Sequence, residues 1–151
     1  MTYQLAHLNI AQAKSGRFDP VMAGFFEAVD QINAAAEASD GFVWRLVDEA
    51  TDPTWRTAFP EKHILTALSV WTDLDALRQY VYKSSHGDFL RRRREWFDRL
   101  TGPNLVLWWV PAGHRPSLGE ARARLDALAQ SGSGPEAFTF GKPFTAAGKP
   151  C

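Results

Sequence analysis

The strands that this sequence predicts carry large apolar side chains on both faces, and this pattern restricts the fold more than any other feature. In residues 105–110, Leu107 and Trp109 alternate with Val106 and Trp108. The predicted strand at 42–47 shows the same pattern. Because successive side chains of a strand point to opposite faces of its sheet, both faces must be covered by other parts of the structure.

Hydrophobic periodicity and turn signals predict the order strand, helix, strand, strand, helix, strand, followed by a last helix and an extended tail. The strands are placed at 3–10, 42–47, 64–71 and 105–110. The first helix begins at Asp19-Pro20 and ends near Gly41, and the last begins at Ser117 and ends near Gly132. The middle helix begins at Thr72. A second capping signal at 85–88 predicts a break there and a new helix that ends before Gly102-Pro103.

This order predicts an α+β fold of ferredoxin-like type, with a four-stranded antiparallel sheet and its two main helices on one face. The other face would then be bare and apolar, and a second copy of the chain covers such a face at least cost. We therefore expect a homodimer that forms a dimeric α/β barrel. Cover by the last helix and the tail alone is the competing interpretation.

Size and charge narrow the class of protein. The chain has 151 residues, so residues 1–151 are expected to form a single domain. Lys and Arg together number 17, as do Asp and Glu, which argues against nucleic acid as a partner. No apolar run is long enough for a membrane helix and no export signal is visible, so we expect a cytoplasmic protein without membrane attachment. Cys151 is interpreted as a surface thiol.

Five segments of the chain, at 3–11, 41–46, 82–97, 107–114 and 137–140, resemble a bacterial domain-of-unknown-function family of about this length. The second-last segment reads Leu-Trp-Trp-Val-Pro-Ala-Gly-His. The resemblance implies membership in the dimeric α/β-barrel superfamily, alongside antibiotic-biosynthesis monooxygenases, haem-degrading monooxygenases and chlorite-dismutase-like haem proteins. It implies a fold and a dimer, and it implies no particular reaction because the superfamily hosts several chemistries.

His7 and Asn9 share one face of the first predicted strand with Tyr3, and Trp71 is expected nearby on the third strand. If this face borders the space between sheet and partner, it places a titratable group and an amide in an apolar cavity, which is typical of a small-molecule site. A core histidine bonded to a backbone carbonyl is the alternative for His7.

Two further histidines are candidates. His86 lies at a predicted helix start, where the helix dipole favours a neutral imidazole that can bind haem iron or accept a proton. A role in capping the helix break is the alternative. His114 follows a strand exit, where functional side chains are frequent, although a turn histidine at the surface explains it as well. The sequence contains none of the short metal, dinucleotide or nucleotide-binding motifs.

A run of four arginines and a long connecting segment each allow two interpretations. Arg91, Arg92, Arg93 and Arg94 are consecutive on a predicted helix, so most face solvent, and one of them is expected to point inward, where it could bind an anion. The segment 48–62 is long for a strand connection and carries two aromatic residues. We expect it to be a lid over a cavity or an arm that embraces the partner.

The leading hypothesis is a small-molecule-binding protein. If it is an enzyme, we expect monooxygenase-like or isomerase activity on an apolar or aromatic compound. His7 or His86 would act as base, and Asn9 would bind an oxyanion. No cofactor is required in this scheme. The alternatives are a haem protein with one axial histidine, and a non-catalytic ligand-binding or dimerisation module. The expected substrate-binding residues are Trp44, Arg45, Trp71, Trp109 and His114.

Overall fold

One long strand, β1 (Tyr3–Ala13), is the centre of the fold. The structure is a computed structural model that describes residues 1–84 and 88–151, and side chains at 1–83 and 92–151. The other strands are β2 (Phe42–Arg45), β3 (Ile64–Trp71), β4 (Phe97–Asp98) and β5 (Leu105–Pro111). The helices are α1 (Ala23–Glu37), α2 (Trp55–Ala58), α3 (Leu74–Ser84), α4 (Asp88–Trp96) and α5 (Leu118–Ser131).

β1 is paired along both of its edges, and every pairing in the sheet is antiparallel. β3 lies on one edge of β1, with β2 outside it. β5 pairs with the first part of β1 on the other edge, and β4 pairs with Gln12 and Ala13 near its end. The predicted α+β class with an antiparallel sheet is therefore confirmed.

Several element boundaries differ from the sequence prediction. The first strand continues to Ala13 instead of ending at Ile10, because its last residues pair with β3 and β4. Phe97 was expected in a helix, but it lies in β4 opposite Ala13. At the start of the first helix, Asp19 caps a short 3-10 turn, Pro20–Met22, and α1 begins one residue later. The predicted break at 85–87 lies outside the described residues.

The two faces of the sheet are named here by one residue each. The Trp108 face carries Ala6, Leu8, Val106 and Trp108, all fully buried, and the His7 face carries the alternate residues of the same strands. The Trp108 face packs against α5 through Leu118, Ala121, Leu125 and Leu128, and against α2 and Phe59. A single chain thus covers the face that was expected to be bare, so the apolar patch does not require a partner.

The segment 48–62 is fastened to the start of α5. Asp52 Oδ2 accepts the backbone N–H of Leu118 at 2.7 Å, and Thr54 Oγ1 accepts that of Gly119 at 2.9 Å. Ser117 Oγ accepts the N–H of Glu120, so the free donors of this helix start are satisfied. The segment is neither an open lid nor an extended arm, because its polar residues cap a helix of the same chain.

A second set of contacts holds the other end of this segment. The Arg122 guanidinium donates to the Ala58 carbonyl at 3.2 Å and to Glu61 at 2.9 Å, and it lies 5.2 Å from the centre of the Phe59 ring. These contacts fix α2 on α5. As a result, the segment and α5 together cover more of the Trp108 face than one helix could.

The C-terminal tail packs on the body of the chain. Phe138 exchanges both backbone hydrogen bonds with Leu107 at 2.9 Å and is fully buried, which protects the outer edge of β5. The Phe144 carbonyl accepts the indole N–H of Trp109 at 2.8 Å. The tail therefore belongs to the cover of the His7 face.

Removal of the Asp52 carboxylate should destabilise the protein. Asp52→Ala leaves the Leu118 N–H and the Thr54 donors without their buried acceptor, and we expect a loss of about 2 kcal/mol in the free energy of unfolding. Urea unfolding monitored by circular dichroism measures it. Asp30→Ala on the exposed side of α1 is the control and should change stability by less than about 0.5 kcal/mol. Equal effects of the two substitutions would contradict this account.

Candidate functional site

The His7 face is covered by two separate apolar clusters. The first contains Leu5, Trp71, Leu77, Leu107 and Phe138, and the second contains Ala13, Met22, Phe25 and Trp96. Helix α1 bridges them, because its Phe25 belongs to the second cluster and its Ala36 to the first, about 16 Å further along the helix axis. The middle of α1 therefore passes over the part of the sheet that lies between the clusters.

That part of the sheet is open. Asn9 of β1 and Ala67 of β3 lie opposite each other on the His7 face, and both are exposed although they occupy the two central strands. Leu105, on the other side of Asn9, is half-buried. We call this gap the central cleft; its floor is formed by Asn9, Ala67 and Leu105, and His7 borders it.

His7 is held in a neutral form at the border of the cleft. Its side chain is only 9% exposed, and burial lowers its pKa from 6.5 to about 4. Its Nδ1 atom lies 3.3 Å from Ser69 Oγ on the adjacent strand β3. A group of this kind suits hydrogen bonding better than proton abstraction, because a base with such a low pKa has little affinity for a proton at neutral pH.

Ser69 connects His7 to a packed column of aromatic side chains. The Trp71 indole N–H donates to Ser69 Oγ at 2.9 Å. The Tyr80 ring stacks on Trp71 with centroids 5.1 Å apart, and its hydroxyl donates to the Ile32 carbonyl of α1 at 3.3 Å. The column links β3, α3 and α1, so Ser69 and His7 rest on a rigid support.

Two of the predicted substrate-binding tryptophans belong to this side of the sheet. Trp71 is only 1% exposed, so it contacts a ligand little and instead supports Ser69, to which its indole donates. Trp109 packs half-buried against the same cluster. Arg45 also lies on this side, opposite Ser69, and its guanidinium forms an ion pair with Glu37 of α1 at 3.2 Å.

Trp44 and His114 lie on the other side of the sheet. Trp44 packs against the Trp108 face, where Arg115 lies 6.0 Å from its ring, because the pairing of β2 with β3 shifts between Phe42 and Trp44. Trp44 therefore lies on the opposite face of the sheet from Trp71 and Trp109.

His114 pairs with a carboxylate instead of joining His7. Its Nε2 atom lies 2.7 Å from Glu120 Oε1, and Glu120 Oε2 accepts the indole N–H of buried Trp108 at 2.9 Å. Glu120 is thereby shared between a half-exposed imidazole and the core. His114 is a turn residue that ties the strand exit to α5.

Two candidates lie outside the described side chains, namely His86 and Arg91. Of the neighbouring arginines, Arg92 forms an ion pair with Glu95 at 2.7 Å and lies over the Trp96 ring, while Arg93 and Arg94 are exposed. Among the arginines of this run whose side chains are described, none is buried. The prediction of one inward-pointing arginine therefore stays open only for Arg91.

A shallow groove of about 360 Å³ lies elsewhere, between the end of α1 and α3. It is lined by Ala35, Ala38, Ser39, Asp40, Tyr80 and Lys83. His7 does not line it. Tyr80 contributes to both the groove and the aromatic column, and burial raises the pKa of its phenol although the nearby Arg45 charge opposes this shift.

Sequence reasoning missed Ala67, Ser69 and Tyr80. Ser69 could have been found from the strand register, since it lies two residues before Trp71 on the same face and pairs with His7 once β1 and β3 are aligned. Ala67 carries no chemical signal of its own. In the described part of the chain, no group of three or more His, Cys, Asp or Glu residues is arranged to hold a metal ion.

The fold and the site define an α+β protein with an antiparallel sheet, helices on both faces and exposed side chains between two apolar clusters on the His7 face. The model of one protein family, described as Domain of unknown function (DUF3291), matches residues 4–151, and the chain belongs to this family. A search of the curated proteins gives no match. Over residues 1–84 and 88–151, no helix combines the length and the apolar character needed to cross a membrane.

The depressed pKa of His7 predicts a pH dependence of stability. Between pH 6.5 and about 4 the unfolded chain binds a proton that the folded chain excludes. Lowering the pH through this range should therefore reduce the free energy of unfolding, and the contribution of His7 is about 1.4 kcal/mol per pH unit. Urea unfolding at pH 7, 6 and 5 measures the slope. His7→Gln should flatten it, while the exposed control His63→Gln should not. An unchanged slope in His7→Gln would contradict the assignment.

Proposed function

We propose that this chain binds a small, largely apolar molecule in the central cleft, with His7 and Asn9 as its polar contacts. The observation that carries the proposal is the exposed pair Asn9 and Ala67 in the middle of a sheet whose other face is buried. Apolar walls with a few convergent polar groups are typical of sites for small molecules.

We further propose that the domain is ferredoxin-like and related to the dimeric α/β barrels. The strand order β2-β3-β1-β5 and the placement of α1 and α3 on the His7 face support it.

The expected homodimer now rests on the family resemblance alone, because α5 and the segment 48–62 cover the Trp108 face. Light scattering on the purified protein decides between dimer and monomer.

The chemistry of His7 favours binding and polarisation of a ligand over base catalysis. A neutral imidazole donates or accepts one hydrogen bond, and a pKa of about 4 makes it a weak base at neutral pH. A monooxygenase or isomerase reaction in this cleft therefore needs a different proton acceptor, for which His86 is the candidate that the sequence supplies.

Haem is a poorer match for His7 than a small ligand is. An axial ligand must present its nitrogen to a slot as wide as the macrocycle, whereas only 9% of His7 is exposed. Haem binding through His86 is a separate hypothesis. An absorption band near ~400 nm in protein expressed with haem supplied, lost in His86→Ala, would support it.

Blocking the cleft should abolish ligand binding without unfolding the protein. Ala67→Trp places a large side chain on the cleft floor, and we expect it to remove the saturable shifts that acetophenone causes at the amides of Asn9 and Leu105. Two-dimensional 1H–15N NMR titration measures them. Ala146→Trp on the exposed tail is the matched control and should keep them. Binding that survives in Ala67→Trp would overturn the proposal.

A further inference from the structure

We infer that Ser69 fixes His7 in the tautomer whose proton is on Nε2, so that His7 offers a hydrogen-bond donor to the cleft and the site selects ligands with a carbonyl oxygen. The inference deepens the proposed function and rests on it. In this scheme Ser69 is a positioning residue, because it acts on a ligand only through His7.

The hydrogen atoms around Ser69 determine the tautomer of His7. The Trp71 indole N–H can only donate, so at 2.9 Å it uses one lone pair of Ser69 Oγ. The Ser69 hydroxyl has a single hydrogen, and among the described residues the other hydrogen-bonding partner of its oxygen is Nδ1 of His7 at 3.3 Å. Donation of this hydrogen to Nδ1 satisfies all three side chains. Nδ1 is then the acceptor, and in a neutral ring the proton lies on Nε2.

The opposite tautomer leaves a hydrogen without a partner. If Nδ1–H donated to Ser69 Oγ, the serine oxygen would accept twice and its own hydrogen would have no acceptor among the contacts of the described residues. Ser69 is half-buried between the sheet and the helices, where an unpaired polar hydrogen is unfavourable. The Trp71 indole therefore selects the tautomer of His7 through Ser69.

The Nε2 atom is the one that can reach a ligand. Within the described residues, no fully buried side-chain nitrogen or oxygen lacks a hydrogen-bond partner. Nε2 of His7 makes no hydrogen bond to any described residue, so it belongs to the small exposed part of the side chain. Asn9, two residues along the same face, is exposed on the floor of the cleft. His7 and Asn9 thus lie on one face of β1, and the proposal has both side chains contact one ligand.

The charges on this side of the sheet narrow the ligand class. The imidazole is neutral because burial lowers its pKa, and the Asn9 amide carries no charge. Arg45, on the same face, is already paired with Glu37. Uncharged donors match the oxygen of a ketone, aldehyde, ester or amide better than a carboxylate, which would lose its hydration without gaining a counter-charge. Apolar clusters on both sides suit the hydrocarbon part of such a molecule.

NMR spectroscopy on the full chain tests the tautomer. Long-range 1H–15N correlation at pH 7 should show a protonated Nε2 and an unprotonated Nδ1 for His7, assigned by the absence of its signals in His7→Gln. Ser69→Ala should yield a mixture of tautomers or the Nδ1–H form, and Ser69→Thr should restore the original pattern because it keeps the hydroxyl. A protonated Nδ1 in the wild-type protein, or an unchanged tautomer in Ser69→Ala, would overturn the inference.

Paired probes test the ligand class. Acetophenone and ethylbenzene have nearly the same shape, and only the first has a carbonyl oxygen. We expect the wild-type protein to bind acetophenone about tenfold more tightly, and this ratio to fall toward one in Ser69→Ala and His7→Leu. Benzoate should bind more weakly than acetophenone.

The outcomes separate this inference from the proposed function. Equal binding of acetophenone and ethylbenzene, with shifts at Ala67 for both, overturns the carbonyl preference and leaves the binding function standing. Absence of binding by either probe removes the proposed function, and the ligand preference falls with it. The tautomer measurement stands by itself in both cases, because it needs no ligand.

Discussion

The fold depends on the need to bury both faces of β1, the strand that is paired along both edges. Its Ala6 and Leu8 face one way and its Leu5 and His7 the other, and all four are buried. On the Trp108 face this burial requires α5, which in turn is capped by Asp52 from a segment far away in the sequence. One buried carboxylate thereby links the cover of a sheet face to the position of a helix. Burial raises the pKa of Asp52, but the hydrogen bonds from Thr54 and Leu118 together outweigh it and lower the pKa below its usual value.

The two faces are covered with different completeness, and this difference locates the candidate function. The Trp108 face has one continuous cluster, whereas the His7 face has two clusters with exposed Asn9 and Ala67 between them. A helix that spans both clusters can leave a gap under its middle turns without exposing the core. The nearly buried, neutral His7 then supplies polarity at the border of an otherwise apolar site.

Local pattern was sufficient for the regular elements and insufficient for the contacts that join them. Alternation predicted β3 at its observed bounds and β5 to within one residue, and the Ser117 cap predicted the start of α5. No local signal shows that Asp52 meets the Leu118 amide, so the sequence alone suggests a lid or a partner-embracing arm for the segment 48–62. The side occupied by Trp44 depends on a register shift in β2, which periodicity cannot reveal. His7 and Asn9 were placed on one face from alternation alone, but the hydrogen bond to Ser69 required the pairing of β1 with β3.

The most direct test of the central claim is a crystal structure of the protein soaked with acetophenone. We predict density for the ring between the two apolar clusters, above Ala67, with the carbonyl oxygen near Nε2 of His7. Density confined to the groove beside Tyr80 and Lys83, or a His7 face closed over Asn9 and Ala67, would contradict it.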